Sequence, residues 1–360
     1  MTQKTKAGRE ELARVAALVR PALASKDYIP ALTCIRFGGG EATAYNDVTA
    51  IGVTCGLDIE RCVPGDFLIR AMGTFGGADV VFERGADGSM VLKSGRSVLK
   101  TPTVDAAEFP FKWPGDEGEV MPLDRGVIRA IERCLVSVGS NPAHPAQMGV
   151  TLESDGGRAV LYSTDNYTVS RCDSGAKIDA LPGDAPVILP RFFCEQLVAL
   201  SKAFPDVKPV MVFLDGAVLV EFGEAARILT KTPVDLVPLD FPRIVSKHVD
   251  LRKIKDLVGT IPDAFDGALN RAMLVLGGEA VPETKFEVGG KVMGMYSKSP
   301  QGTSEDDVPF DNAAGSFKFS SNPQLLQRGA KACALVGFTE RVTVMADADC
   351  NFVHLVAHLS

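Results

Sequence analysis

Five prolines recur at similar intervals along the chain, and each opens a segment with helical periodicity. Proline is tolerated in the first turn of a helix because its missing N–H would have no partner inside the helix. Successive prolines are roughly 60 to 70 residues apart, and a sixth helical segment, near Glu10 to Leu23, precedes the first of them. The five are Pro64, Pro122, Pro190, Pro262 and Pro323. This spacing predicts six similar units rather than two or three unrelated domains.

Short alternating or β-branched runs separate the helical segments, and tight-turn dipeptides interrupt these runs. Asp87-Gly88 and Asp215-Gly216 tolerate the positive φ of a type I′ hairpin. Similar signals occur at Asp155-Gly156-Gly157 and Gly289-Gly290. Each unit is therefore expected to combine one helix with a few antiparallel strands, which is an α+β fold.

A second, longer repeat lies over the first. The segment that ends at Phe109-Pro110 returns, with similar residues, in the segment that ends at Phe241-Pro242, about 130 residues later. Both follow the second unit of a pair, as expected for linkers between domains, although chance similarity of two proline-containing loops is the alternative. The repeat predicts three similar domains of two units each, at 1–116, 117–246 and 247–360.

The overall charge of the chain is acidic. Lys and Arg number 38 against 45 Asp and Glu, a formal net charge of −7, so the field of the whole molecule repels nucleic acid and anionic membranes. A nucleic-acid partner would have to meet a local basic surface. The third helical segment, Leu123 to Val138, offers one, because Arg125, Arg129 and Arg133 step by four opposite an apolar stripe. We expect this face to contact phosphates without reading bases.

Several classes of protein are excluded by what the sequence lacks. No stretch approaches the roughly 18 apolar residues that span a bilayer, and the first residues carry no secretory signal. The eight cysteines form no C-x-x-C pair, which favours reduced thiols in the cytoplasm. His354 and His358 have no cysteine or carboxylate at ligand spacing, so we expect neither a metal nor a cofactor.

Familiar catalytic and nucleotide-binding motifs are also missing. Gly289-Gly290-Lys291 lacks the spacing of a phosphate-binding loop. Thr164-Asp165 supplies a carboxylate, but no histidine or cysteine lies near it in sequence. We therefore expect a protein that is not an enzyme and has no catalytic residues. An enzyme whose site is assembled from Asp165, His248 and distant residues stays an alternative.

The order and spacing of these features resemble the bacterial-type DNA polymerase sliding clamp, the beta processivity subunit, over nearly the whole chain. The resemblance is carried by Ile29-Pro30-Ala31-Leu32, Lys93-Ser94-Gly95-Arg96-Ser97, Ala106-Ala107-Glu108-Phe109-Pro110, Tyr162-Ser163-Thr164-Asp165-Asn166-Tyr167, Val187-Ile188-Leu189-Pro190-Arg191, Phe241-Pro242 and Phe352-Val353-His354-Leu355-Val356-Ala357-His358-Leu359. These fragments favour a phage-encoded or otherwise divergent member of that family.

The resemblance implies a head-to-tail homodimer in which six similar domains close a ring around duplex DNA, with helices lining the hole. Such a ring tethers DNA polymerase III, the clamp loader and other DNA-processing proteins, which bind it through short linear peptides. The resemblance also implies that Lys26 and Arg191 contact DNA, in addition to the arginine face of the third helix. Closure around the duplex permits loose contacts, which is compatible with the net charge of −7.

In this family the peptides enter a hydrophobic cleft between the second and third domains. By the resemblance, the wall of this cleft falls on Thr164, Tyr167, Val169, Pro242, Val245, Val353, Leu355 and Ala357. The sequence departs from the family here. Asn166-Tyr167-Thr168 stands in place of Gly-His-Arg, and Leu355 and Ala357 replace the usual methionines. We therefore expect a cleft whose shape and partner preference differ from those of the family.

The ring interface of the family joins the first domain of one subunit to the third domain of the other. Leu274 and Val275 match its apolar part, and Arg96 would face the acidic Glu305, Asp306 and Asp307 across it. Exposed ion pairs contribute about 0–1 kcal/mol each, so the apolar contact and sheet continuation should dominate. The alternative function is a clamp-like binding or decoy protein that occupies replication partners without encircling DNA.

Overall fold

The structure, a computed structural model, describes residues 4–25, 29–115, 117–178, 181, 185–232, 236–310 and 315–359. The helices are α1 (Arg9–Val19), α2 (Gly65–Thr74), α3 (Arg125–Cys134), α4 (Arg191–Ala203), α5 (Phe241–Ser246), α6 (Ile254–Leu257), α7 (Ala264–Leu276) and α8 (Pro323–Ala330). The strands are β1 (Lys4–Gly8), β2 (Cys34–Gly38), β3 (Glu41–Tyr45), β4 (Thr49–Thr54), β5 (Arg61–Pro64), β6 (Asp79–Arg84), β7 (Met90–Ser94), β8 (Ser97–Thr101), β9 (Val104–Asp105), β10 (Glu119–Pro122), β11 (Gly149–Asp155), β12 (Arg158–Thr164), β13 (Thr168–Lys177), β14 (Val187–Pro190), β15 (Val210–Leu214), β16 (Ala217–Phe222), β17 (Ala226–Lys231), β18 (Gly259–Thr260), β19 (Thr284–Gly289), β20 (Val292–Ser299), β21 (Gly302–Pro309), β22 (Phe317–Ser321), β23 (Leu335–Phe338), β24 (Val342–Ala346) and β25 (Phe352–Ala357).

The proline-led helices of the sequence are confirmed. Pro64 and Pro190 stand directly before α2 and α4, and Pro323 is the first residue of α8. Pro122 and Pro262 lie just before the first turns of α3 and α7. The third helix is shorter than predicted, because after Cys134 the chain tightens into a 3₁₀ turn over Leu135–Ser137.

Contacts within the chain divide it into two compact units, each of which draws on more than one of the predicted domains. Unit 1 comprises residues 1–124 and 195–234, and unit 2 comprises residues 125–194 and 235–360. Each unit contains one long and one short antiparallel sheet. The division into three domains at 1–116, 117–246 and 247–360 stays a prediction.

The long sheet of unit 1 has nine strands in the order β10-β15-β16-β17-β4-β3-β2-β5-β9, and the short sheet has the order β1-β6-β7-β8. Helix α1 packs on β3 and β4 through Leu12, Val15, Ala16 and Val19, which recur at helical spacing. Strand β4 is buried at five successive positions, because the segment around Phe111 and Trp113 packs against the same sheet. A strand covered on both faces loses the alternation of polar and apolar residues.

The long sheet of unit 2 has the order β14-β11-β12-β13-β25-β24-β23-β18, and the short sheet has the order β21-β20-β19-β22. Strand β25 separates two apolar clusters. Val356 belongs to a cluster with Leu326 of α8, whereas Val353 and Leu355 belong to a cluster with Phe241 of α5. Successive side chains of a strand point to opposite faces, so both faces of this sheet are covered.

The hairpins predicted from Gly-containing dipeptides are confirmed, since Gly88, Gly156, Gly216 and Gly290 all have positive φ between paired strands. None of the eight cysteines, all of which lie in the described part of the chain, forms a disulfide bond. No helix in the described part of the chain is long and apolar enough to cross a membrane. Nowhere among the described residues do three or more His, Cys, Asp or Glu side chains gather as a metal site would require.

Candidate docking cleft and basic helix face

Helix α3 has the two faces that its sequence predicts. Val127, Ile131 and Cys134 are buried and pack against β12 and β13. Arg125 and Arg129, one turn apart, are exposed on the opposite side. The helix therefore presents cationic side chains to solvent while its apolar stripe holds it on the sheet.

The third arginine of this face is engaged within the protein. Arg133 Nη1 donates to Asp347 Oδ2 over 2.6 Å, and its guanidinium lies 5.6 Å from the ring centroid of Phe352. Asp347 also accepts the backbone N–H of Phe352 over 3.0 Å. The charge of Arg133 is thus paired locally, which favours attachment of α3 to the turn before β25 over the phosphate contact expected from the sequence.

Of the two remaining residues predicted to contact DNA, the structure describes only Arg191. Arg191 is exposed at the start of α4, where its backbone N–H donates to the Met148 carbonyl over 3.0 Å. Lys26 lies outside the described residues.

The turn between β12 and β13 is fixed by its own side chains. Asp165 Oδ1 accepts the backbone N–H groups of Tyr167 and Thr168 over 3.0 and 2.7 Å, and Asn166 takes a φ of 75°. Thr164 Oγ1 donates to the Thr168 carbonyl over 2.7 Å. This hydroxyl therefore bonds within the turn, and the place of Thr164 on a cleft wall stays a prediction. The Asp165 carboxylate is likewise committed to backbone hydrogen bonds, which fits a structural role.

Tyr167 and Ala357 meet at the same end of the sheet. The Tyr167 side chain is 61% exposed at the tip of the turn, and its carbonyl accepts the Ala357 N–H over 2.8 Å. Further along β25, Val353 and Leu355 are 1% and 2% exposed. They form a floor together with the half-buried Val169, and the role of these residues as a cleft wall stays a prediction.

Helix α5 covers this floor. Asp240 accepts the Arg243 N–H over 3.0 Å as its cap, and Pro242 occupies the first turn, where proline costs no hydrogen bond. Phe241 stacks on Tyr162 with ring centroids 5.2 Å apart. The linker is therefore anchored on the sheet by an aromatic pair.

A cleft of about 490 Å³ opens beside α5. It is lined by Asp155, Tyr162, Arg171, Pro242, Val245, Ser246, Val249, Asp250, Leu251 and Arg252. Of the predicted wall, Pro242 and Val245 line it. Sequence reasoning missed Tyr162 and Arg171, which face each other in the register of β12 and β13. Alternation along these strands places them on one face and was the available signal.

The cleft combines apolar walls with the arginine Arg171, whose hydrogen bonding is incomplete. The Nε of Arg171 is buried, and the described residues offer it no hydrogen-bond acceptor. On β11, burial raises the pKa of Glu153 to about 7, and the carboxylates of Asp240 and Asp155 add to the shift.

Under the same sheet lies a buried polar network. Ser137 and Ser170 hydroxyls are 2.8 Å apart, and Ser170 Oγ lies 3.0 Å from His354 Nδ1. Thr168 Oγ1 donates to Ser137 Oγ over 2.9 Å. His354 is fully buried, and burial lowers its pKa to about 4. Since these groups are sealed from solvent, the network joins the 3₁₀ turn after α3 to β13 and β25 rather than acting on a substrate.

The predicted interface residues lie on edges of the short sheets or beside them. Arg96 is exposed in the turn that leads into edge strand β8 of unit 1. In unit 2, Leu274 on α7 is 79% exposed and Val275 is half-buried. A hollow of about 1270 Å³ on the short sheet of unit 2 is lined partly by β21, the edge strand that carries the predicted acidic stretch.

Within that acidic stretch, Asp306 is paired inside its own chain, unlike its two neighbours in the stretch. Arg271 Nη2 donates to Asp306 Oδ1 over 2.6 Å, so this carboxylate already has an internal partner. Glu305 and Asp307 are exposed on the outward face of β21. They keep the acidic character that was predicted for this edge.

No known protein family matches the sequence, and no curated protein is similar to it in sequence. Solved structures are similar in fold. The DNA polymerase III beta subunit of Thermotoga maritima has a TM-score of 0.85 at 18% identity, with 99% of both chains covered. The DNA polymerase III subunit beta sliding clamp of Bartonella birtlesii has a TM-score of 0.87 at 14% identity, and the sliding clamp of Pseudomonas aeruginosa 0.83 at 18%, each covering 100% of both chains. The chain therefore has the fold of bacterial beta sliding clamps along its full length.

Proposed function

We propose that this protein is a DNA sliding clamp, which encircles duplex DNA as a homodimer and tethers a replicative polymerase in the cytoplasm. The observation that carries the proposal is the full-length likeness, with 99% or more of both chains covered, to solved structures named as sliding clamps. A fold alone does not determine function, so the argument also needs the surfaces described above.

The DNA contact would be made by cationic helix faces without base recognition. Arg125 and Arg129 supply exposed charge on α3, and Arg191 stands at the start of α4. Lys26 is proposed from the sequence alone. Few charges suffice if the chain is held by ring closure, because tight phosphate contacts would slow sliding.

Ring closure would join the edge of the short sheet of unit 1 to that of unit 2 in a second copy. Strands β8 and β21 each have an unpaired edge within the described sheets. Exposed Leu274 supplies an apolar contact, while Arg96, Glu305 and Asp307 supply opposite charges. Such a heterologous contact closes into a ring when its rotation permits. Six domains, three per chain, would line the ring.

The cleft beside α5 is proposed as the docking site for short peptides of the polymerase, the clamp loader and other DNA-processing proteins. A volume of about 490 Å³ holds a few apolar side chains, and small clefts of this kind bind through a few anchors. Arg171 adds a positive charge to the lining of this cleft. This proposal shifts the expected wall from Val353 and Leu355 to Tyr162, Arg171, Pro242 and Val249.

The proposal is tested by retention on DNA of different topology. Clamp loaded onto nicked circular DNA should stay through gel filtration at high salt and should be lost when a restriction enzyme linearises the circle. Equal loss from both forms would overturn the topological mechanism. Polymerase binding without any retention on circles would favour the decoy alternative.

A further inference from the structure

Unit 1 contains a turn that repeats the turn next to the proposed cleft of unit 2. Asn46 Oδ1 accepts the N–H groups of Val48 and Thr49 over 3.1 and 2.8 Å. Asp165 Oδ1 does the same for Tyr167 and Thr168. The residue after each cap has positive φ, 77° at Asp47 and 75° at Asn166. Two local structures with the same hydrogen bonds and the same backbone strain indicate equivalent positions.

The strand that follows each turn also has an equivalent partner. The carbonyl of Val48 accepts the Lys231 N–H over 3.0 Å, as the carbonyl of Tyr167 accepts the Ala357 N–H. In the register, Ala50 lies opposite Leu229, as Val169 lies opposite Leu355. Strands β4 and β17 of unit 1 therefore correspond to β13 and β25 of unit 2. The surface that α5 covers in unit 2 has its counterpart around Tyr45, Ala50 and Leu229.

The linkers begin alike on these two surfaces and then diverge. Phe109-Pro110 and Phe241-Pro242 each place a buried phenylalanine in the apolar cluster of their own unit. After Pro242 the chain forms α5 and leaves a cleft. After Pro110 it forms no helix and instead lays residues 111–113 over the sheet. The second surface is thus covered by an extended piece of chain.

Two aromatic side chains anchor this piece. The Phe111 ring lies 4.6 Å from that of Tyr45 and 4.9 Å from that of Trp113. Both Phe111 and Trp113 pack against a buried cluster that contains Leu229. Large aromatic anchors seated on an apolar floor are typical of bound peptides.

Charged groups clamp the tryptophan in place. Trp113 Nε1 donates to Glu41 Oε1 over 2.8 Å, and Arg227 Nε donates to Glu41 Oε2 over 2.8 Å. The Arg227 guanidinium lies 4.1 Å from the indole centroid. A side chain at Gly52 would put its Cβ 2.7 Å from Trp113 Cζ2, so the strand beneath leaves room for the indole only because glycine stands there. The seat for Trp113 is built into the sheet.

We propose that unit 1 carries a second docking surface for short peptides with aromatic side chains, and that residues 110–115 of the chain are its built-in occupant. The analogy to docking rests on the proposed function of the cleft in unit 2, but the occupancy itself is observed. The consequence is that each chain offers one open docking cleft while the equivalent surface is closed by its own linker.

The test opens this surface and supplies the occupant in trans. The variant Phe111→Ala/Trp113→Ala removes both anchors and also the single tryptophan of the chain. A capped synthetic peptide of residues 110–115, Pro-Phe-Lys-Trp-Pro-Gly, then carries the only indole in the mixture. We expect saturable one-to-one binding to the variant, followed by tryptophan fluorescence anisotropy. For the unmodified chain we expect at least tenfold weaker binding, measured with a fluorescein-labelled form of the peptide.

Matched controls distinguish specific docking from nonspecific hydrophobic binding and from misfolding. The peptide with Phe and Trp replaced by Ala should not bind. Absence of binding by the intact peptide to a double variant with native circular dichroism would overturn the proposal.

If the double variant does not fold, the single variant Arg227→Ala tests whether the sheet holds Trp113 in a built seat. Loss of the guanidinium over the indole should shift Trp113 emission to longer wavelength with circular dichroism unchanged, and unchanged emission would refute the built seat. Neither result depends on DNA retention or on the cleft of unit 2. Failure of this proposal can therefore be distinguished from failure of the proposed function.

Discussion

Arg133 of α3 and Asp347, in the turn before β25, form a 2.6 Å ion pair although 214 residues separate them. The pair stands at one end of the helix whose other arginines, Arg125 and Arg129, are exposed. We therefore expect the exposed arginines of this helix to contact DNA and Arg133 to stabilise the fold, and substitutions should distinguish these two roles.

For the exposed arginines we expect an effect on DNA and none on folding. Arg125→Ala and Arg129→Ala should each lower the slope of log affinity against log salt by about 0.9 if each contacts one phosphate. Arg133→Ala should leave that slope unchanged and lower the free energy of unfolding by about 1 kcal/mol. Fluorescence titration of duplex DNA over a salt series and urea unfolding measure the two quantities. A salt slope altered only by Arg133→Ala would reverse the assignment.

The cleft beside α5 should be blocked by filling it from an exposed position. Ser246 lines the cleft and is exposed, so Ser246→Trp should weaken binding of a polymerase-derived peptide at least tenfold without loss of stability. Lys247→Trp, at the next exposed position outside the lining, is the matched control and should bind normally. Leu355→Asp is unsuitable, because a charge at this 2% exposed site should cost about 3 kcal/mol or more of stability. Isothermal titration calorimetry measures peptide binding by Ser246→Trp and Lys247→Trp, and normal binding by Ser246→Trp would place the peptide elsewhere.

Acid should destabilise unit 2 through its buried histidines. Burial lowers the pKa of His354 to about 4, with Arg328 adding to the shift, and burial also lowers the pKa of His358 to about 4. In the unfolded chain histidine binds its proton near pH 6.5, so between about pH 6.5 and 4 the unfolded state holds more protons. Stability is therefore full above pH 6.5 and falls as the pH drops, by on the order of 3 kcal/mol for His354. Urea unfolding across this range should show a flatter pH dependence in His354→Asn, even though that variant is less stable at pH 7.

Glu153 should have the opposite pH dependence. Burial, together with the charges of Asp240 and Asp155, raises its pKa to about 7, above the ordinary value near 4.5. Its ionisation in the folded protein is costly, so the stability it contributes is present at low pH and is lost as the pH rises towards 7. Glu153→Gln should then raise the free energy of unfolding at pH 8 by about 1–2 kcal/mol, and the gain should vanish below about pH 4. An equal gain at both pH values would point to packing rather than charge.

The assembly of two chains should depend on Leu274. This side chain is 79% exposed on α7, so Leu274→Asp should not affect folding but should weaken the homodimer at least tenfold. Val281→Asp changes a side chain that is 66% exposed outside the proposed interface and serves as the control. Sedimentation should find the unmodified chain near twice 38.3 kDa. An unaltered dimer in Leu274→Asp would move the interface away from α7.

The sequence predicted local structure well because its signals were local. A proline in a first turn and a glycine in a hairpin act within a few residues, so Pro323 and Gly88 marked their elements correctly. The partner of Arg133 could not be predicted, since the helical pattern that exposes an arginine carries no information about Asp347. The buried state of Leu355 was missed for a similar reason, because only the packing of α5 reveals which face of β25 is covered.

The candidate site was predicted in part. The resemblance predicted Pro242 and Val245, which line the cleft beside α5. It did not predict Tyr162 or Arg171, whose positions depend on the pairing of β12 with β13. The second surface had a visible signal, since Asn46-Asp47-Val48-Thr49 repeats the polar pattern of Asp165-Asn166-Tyr167-Thr168. Its meaning depends on hydrogen bonds that a sequence does not display.

The pairing of β4 with β17 has a consequence for the order in which the chain folds during synthesis. Thr49 and Thr230, whose hydroxyls are 3.0 Å apart across these strands, are separated by 181 residues, and Ser170 and His354 of unit 2 by 184. At about 5–20 residues per second a ribosome needs roughly 10–40 s to supply the second strand of either pair. During that interval β4 and β13 are open strand edges, so nascent chains crowded on one messenger RNA are exposed to swapping these strands between neighbours.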